Sequence, residues 1–275
     1  MNKKPLFFLL ALLIPVVGLA KEVAISIDDL PFVGAIHFSQ EHQKQMFMKV
    51  LRAFDKYQIQ ASTFVIGGRV QDHHEELLDE VVRRGHIVGN HTFSHPYFKR
   101  HTVAEYKSDI LKGEQALKPW MSGKKYFRYP MLHRGDTLEK KLAMFKFLAE
   151  QEYTIAPVSI DNDEWKFARD YTGELLAGNK KRALKIGKSY LAHMKERTQY
   201  FQNLAKKKLG RDVKHILLLH MNQLNSDYLP TLLRWYSEQG WKFITLEEAL
   251  SDPLYSMEDL YVGNRGISYL ERILL

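Results

Sequence analysis

The chain has 275 residues, of which 45% are hydrophobic and 26% charged, with no cysteine and a formal net charge of +8. That length suits one large domain with a substantial core, and the ordinary charge content excludes wholesale disorder. The lack of cysteine excludes disulfide scaffolds, cysteine-ligated zinc, iron–sulfur clusters and thiol catalysis.

In chain order, residues 1–20 read as a secretory signal peptide. Lys3 and Lys4 precede an apolar run over 6–14, continued by Val16 and Val17, and Gly18 and Ala20 are the small residues a signal peptidase needs. The apolar stretch is shorter than the roughly 20 residues that span a bilayer. Cleavage near Ala20 and an exported protein, periplasmic or secreted, are therefore expected. Seven short runs rich in β-branched and aromatic residues follow, at 23–27, 62–66, 87–89, 126–128, 154–160, 216–219 and 242–244. Each is expected as a buried strand. The intervals carry helical spacing: Met46, Val50, Leu51 and Phe54; then Leu77, Leu78, Val81 and Val82; then Leu142, Phe145, Leu148 and Ala149 behind the caps Asp136 and Thr137. Strands alternating with helices predict a parallel sheet, open or closed into a barrel. With no repeat or linker, one α/β domain over 21–250 is expected.

The stretch 165–214 breaks the rhythm and is expected as two helices, about 165–176 and 180–208. Leu184, Leu191, Met194, Phe201 and Leu204 form its apolar stripe. Residues 178–214 hold twelve Lys and Arg against Glu196 and Asp212. A solvated face is the ordinary reading of such a run. The sharper one is a surface for an anionic cell-wall polymer or lipid headgroups. No nucleic-acid motif accompanies it, so no nucleic-acid partner is expected. Residues 251–275 are an additional tail.

Ionisable residues collect at the downstream ends of these strands: Asp28 and Asp29, His91 and His95, Arg128, Asp161 and Glu164, and His220. In a parallel barrel those ends share one rim, where such folds place their active sites. His91 and His95 stand four apart, which on a helical turn puts both imidazoles within reach of one cation. Asn90-His91-Thr92 also matches a glycosylation sequon, discounted because a glycan would obstruct that place. Two adjacent carboxylates, Asp28 and Asp29, need a compensating cation or arginine.

The ordered set resembles the polysaccharide deacetylases, the family-four carbohydrate esterases with a NodB-like chitooligosaccharide deacetylase homology domain. The matching pieces are Ser26-Ile27-Asp28-Asp29, the run from Gly85 through His91 and His95 to Pro96, Phe127-Arg128-Tyr129-Pro130, Asp161-Asn162-Asp163-Glu164-Trp165 and Leu217-Leu218-Leu219-His220. The resemblance runs from about residue 22 to 250. It implies a distorted (β/α) barrel of about seven parallel strands, with 165–214 as an added helical stretch between the fifth and sixth. It implies one divalent metal, zinc first with cobalt, nickel or manganese as alternatives, on Asp29, His91 and His95. Asp28 becomes the general base, oriented by Arg128, and His220 the general acid. An acid among Asp161, Asp163 and Glu164 holds His220. Tyr129, Pro130 and Met131 approach the substrate, the Met131 N–H meeting the oxyanion, and Trp165 and Leu219 wall the sugar pocket.

The implied activity is removal of N-acetyl groups from an amino-sugar polymer: peptidoglycan, a chitin-like chain or poly-N-acetylglucosamine. Hydrolysis of another amide or ester on the same centre, or a silent glycan-binding protein, are the alternatives. The sequence departs from the family at Leu30-Pro31, where glycine is usual, and at Glu164, where aspartate is usual. It departs again after Pro130, where Met131, Leu132, His133 and Arg134 replace a small residue. A serine hydrolase and a nucleotide binder are excluded by the absence of a nucleophile elbow and of a glycine-rich phosphate loop.

Overall fold

The structure, a computed structural model, describes residues 21–274; the signal segment expected from the sequence lies outside them. Seven strands are found among the described residues: β1 (Lys21–Leu30), β2 (Ser62–Val65), β3 (Ile87–Asn90), β4 (Lys125–Phe127), β5 (Tyr153–Ile155), β6 (Lys214–His220) and β7 (Trp241–Ile244). Every pairing is parallel, in the order β5-β4-β3-β2-β1-β6, with β7 alongside the first residues of β1.

The fifth strand is shorter than its run of residues predicts. Pro157 has no N–H to give a ladder, so pairing with β4 ends at Ile155. The extended chain then crosses to β6, where Ile160 bridges Leu217 and the Ser159 and Ile160 N–H groups donate to Ile216 O at 3.1 Å. The sheet therefore curls into a distorted (β/α) barrel whose seam is one bridge instead of a full ladder.

The helices are α1 (Gln40–Lys56), α2 (Asp72–Arg83), α3 (Val103–Leu117), α4 (Leu138–Glu150), α5 (Glu164–Leu176), α6 (Lys180–Leu209), α7 (Gln223–Glu238), α8 (Leu246–Leu250) and α9 (Tyr269–Leu274). Among the described residues no helix is long and apolar enough to cross a membrane. Strand alternation sorts β1 into two cores. Val23, Ile25 and Ile27 pack outward with Val50, Leu51 and Phe54 of α1 and Leu229, Leu232 and Leu233 of α7. Ala24 packs inward with Phe64, Tyr126 and Ile216.

Three helical faces differ from the expected ones. In α4 the buried positions are Lys141, Met144, Phe147 and Leu148, while Leu142 and Ala149 are exposed. Val82 of α2 is also exposed. In α6 the seam is Ala183, Gly187, Tyr190, Met194, Thr198 and Phe201, and Leu184 points to solvent. The other four expected positions hold, with Met194 and Phe201 buried and Leu191 and Leu204 packed against the core. A glycine sits at 187 because a Cβ there would stand 2.0 Å from the Tyr228 ring of α7. The C-terminal residues are packed onto the domain: the Tyr269 N–H donates to Val158 O at 2.6 Å, and Leu270 is fully buried.

Candidate active site

The end of β1 places two adjacent carboxylates in one cleft. In a regular strand, neighbours point to opposite faces. Here the register with β2 slips between Ile27 and Leu30, and Asp29 takes a left-handed conformation with φ 65°. This bulge re-aims Asp29, so both Asp28 and Asp29 line a cleft of about 800 Å³.

His91 and His95 follow β3 in a loop, not on the helical turn expected from their spacing. The Asn90 side chain accepts from the Thr92 N–H at 2.8 Å, and Thr92 Oγ1 accepts from the His95 N–H at 3.0 Å. Asp109 of α3 takes the Phe93 and Ser94 N–H groups, both at 3.0 Å. Asn90 is wholly buried and donates to Ile110 O and Tyr153 Oη, which rules out its use as a glycan acceptor in the folded chain.

Asp29, His91 and His95 present ligand atoms all within 4.8 Å of one another. Asp29 Oδ1 lies 3.4 Å from His91 Nε2 and 3.2 Å from His95 Nε2. Two ligands about 2.1 Å from a tetrahedral ion stand roughly 3.4 Å apart, so the spacing fits. The chemistry fits as well. His91 Nδ1 donates to Arg128 O at 2.8 Å, which fixes the ring with Nε2 aimed at a carboxylate oxygen. Asp29 Oδ1 is buried with no hydrogen-bond partner. Burial opposes the Asp29 charge, but the close approach of His91 and the field of His95 and His220 hold its carboxyl well below the usual range. Burial, then His91, pushes His95 down to about 4. A buried carboxylate oxygen without a hydrogen-bond partner, facing two imidazole nitrogens, is a donor set that suits a cation.

Behind the triad, Arg128 is fully buried and lies over the Phe64 ring at 4.4 Å. Its Nη1 donates to both Asp28 oxygens at 3.1 Å, its Nη2 to Ser26 Oγ at 3.0 Å and its Nε to Ala156 O at 2.7 Å. At the end of β6, His220 Nδ1 meets Glu164 Oε2 at 2.7 Å. Burial opposes the His220 charge, yet the Glu164 hydrogen bond and charge outweigh it and raise the ring to about 9.

Among the three acids left open by the sequence, Glu164 is thus the partner of His220. Asp161 lines the cleft but accepts from the Asn162 N–H, and burial, with Asp163 nearby, raises its carboxyl. Asp163 is exposed and pairs with Lys166 at 2.9 Å. The sequence missed Asn222 and Asn225, whose Nδ2 groups donate to Glu164 Oε1 at 2.6 and 2.7 Å. An asparagine capping the helix that follows His220 was the available signal.

Three expected wall residues are corrected. Leu219 faces the core, and Leu218 lines the cleft, because positions two apart share a strand face with His220. Tyr129 is buried against Phe127 and Tyr106, and Pro130 is buried too, so neither reaches the cleft. Met131 and Leu132 line it instead, as does Trp165, which is half exposed.

Residues 18–147 match the family described as polysaccharide deacetylase. Two peptidoglycan-N-acetylglucosamine deacetylases of Bacillus cereus are each 28% identical to this chain. One match covers 53% of this chain and 46% of the relative, the other 78% and 87%. This chain therefore spans less than half the length of the first of them. A CE4-family pseudoenzyme from Bacillus anthracis superposes with a TM-score of 0.57 at 18% identity, over 84% of this chain and 66% of that one. The fold is shared by a protein described as a pseudoenzyme, so activity has to be argued from the side chains.

Proposed function

Since the chain belongs to the polysaccharide deacetylase family, we propose that it hydrolyses N-acetyl groups on an amino-sugar polymer of the cell envelope, such as peptidoglycan, a chitin-like chain or poly-N-acetylglucosamine. The observation that carries this reading is one cleft holding a three-ligand cation site, a carboxylate backed by Arg128 and an imidazole backed by Glu164. Binding a glycan needs no such pairing of base and acid.

Asp29, His91 and His95 would hold the divalent ion. Zinc suits one carboxylate and two imidazoles best, with cobalt, nickel and manganese as alternatives. The chemistry such an ion supplies is polarisation of the amide carbonyl and acidification of a water. Asp28, aimed by two Arg128 hydrogen bonds, takes the proton of the attacking water. The Met131 N–H meets the developing oxyanion. His220, charged through Glu164, protonates the departing amine. Trp165 and Leu218 flank the sugar. The products are acetate and a free amine.

Export fits this substrate, and the signal segment read in residues 1–20 would supply it. The outer face of α6, with Lys181, Lys185 and Lys188 exposed, is the candidate contact for an anionic wall polymer or lipid headgroup. The deciding experiment is acetate release from a panel of N-acetylated glycans with and without chelator. Release abolished by EDTA and restored by zinc is expected. No release from any glycan, with glycan binding retained, would make the chain a silent binder. Release indifferent to chelator would dismiss the metal site.

A further inference from the structure

The loop after β4 is held in place from the far end of the chain. Met131 and Leu132 both take left-handed conformations, φ 49° and 54°, which residues with a side chain rarely adopt. The loop's own hydrogen bonds are few: the Leu132 N–H to Tyr129 O at 3.0 Å and the His133 N–H to Pro130 O at 3.1 Å. The C-terminal residues supply the rest. Arg272 Nη2 donates to Leu132 O at 2.7 Å, and His133 Nε2 donates to Gly263 O at 3.0 Å. Arg134 Nη1 donates to Asp259 Oδ2 at 3.0 Å. Asp259 is anchored in turn by Lys141 of α4 at 3.0 Å and by Arg272 at 3.4 Å. Gly266 completes the clamp. A Cβ there would stand 1.7 Å from Met131 O, so only glycine lets the two backbones meet. Gly266, Met131 and Leu132 all line the catalytic cleft.

We propose that Arg272 and Asp259, with Gly266, are positioning residues for the reaction: they hold the 131–134 loop in its strained form and so aim the Met131 N–H at the acyl oxygen. The proposal rests on the deacetylase reading above. Three buried cations converge on the single Asp259 carboxylate, which is a costly way merely to tether a tail. The ties end on the backbone and side chains of the cleft loop, where sub-ångström placement of a donor matters most.

The test compares Arg272→Lys, Arg272→Gln and Gly266→Ala with Leu254→Ala, a buried tail position outside the loop contacts. Acetate release from an N-acetylated chitooligosaccharide is measured alongside melting temperature, zinc content and hydrogen exchange at the Leu132 and His133 amides. The expected result for the clamp variants is at least a tenfold fall in kcat, KM within threefold, unchanged zinc content and at least tenfold faster exchange. Leu254→Ala should keep kcat within threefold at a matched loss of melting temperature. The proposal fails if Arg272→Lys keeps both kcat and amide protection, if only KM moves, or if Leu254→Ala loses as much kcat. Should Gly266→Ala not fold, Arg272→Lys decides. A wild-type chain that releases no acetate would strike the deacetylase reading, and the exchange rates alone would then judge the clamp.

Discussion

Asp28 and Asp29 are chain neighbours with different surroundings. Asp28 is gripped by Arg128, while Asp29 turns away through the bulge toward two imidazoles. Asp28→Asn is therefore expected to lower kcat by about a hundredfold or more with zinc content intact, by activity assay and metal analysis. His91→Ala should lose both zinc and activity. The acid is separable in the same way. With His220 held up to about 9, its charged pair with Glu164 persists to about pH 9 and is lost above it. Glu164→Gln removes the anion while keeping the shape. The alkaline limb of the kcat profile should then fall by about two pH units, toward or below the ordinary histidine value near 6.5. An unmoved limb would remove Glu164 from that role.

At the scale of elements, the histidine loop depends on how closely α3 approaches it. Gly113 is the contact: a Cβ there would lie 2.6 Å from Asn90 Oδ1 and 2.7 Å from the Thr92 carbonyl carbon. Alanine favours a helix interior over glycine by about 1 kcal/mol, so α3 considered alone would gain stability from Gly113→Ala. Overpacking against the loop costs roughly 1–3 kcal/mol and should reverse that sign. The expected outcome is a lower melting temperature and at least tenfold weaker zinc binding in a competition titration. An increase in stability with unchanged zinc affinity would show that the loop does not lean on α3.

Across the whole molecule, several buried histidines make the fold acid-sensitive apart from the metal ligands. His86 Nδ1 accepts from the Ala61 N–H and His74 Nδ1 from the Gln71 N–H, so both rings must be neutral there. Burial holds His86, His74 and His215 each at about 4. An unfolded histidine binds its proton near 6.5, so between about 6.5 and 4 the unfolded chain binds more protons, and stability rises with pH across that window and is lost on acidification. Denaturation in EDTA at pH 7 and pH 5 should differ by a few kcal/mol, and His86→Gln should shrink the difference. Equal stability at both values would mean that these rings titrate normally in the folded chain.

Much of this was legible in one dimension. The strand runs, the strand–helix alternation and the ionisable residues at strand ends are local properties, set by period and residue type. So is the split of 165–214 into two helices, found at Glu164–Leu176 and Lys180–Leu209. Other features turned on partners far away in the chain. Glu164 reaches His220 across 56 residues, and Arg272 reaches Leu132 across 140. Leu218 replaces Leu219 through a one-residue parity, and Pro157 moves the fifth strand's continuation onto β6.

The sequence by itself determined the kinds of chemical group and the ends of the strands that carry them. Only the tertiary structure decided which carboxylate charges His220, which leucine faces the cleft and that the last residues brace the 131–134 loop. Backbone period is written in neighbouring residues, whereas a contact between distant ones exists only once strand register and barrel closure have brought them together.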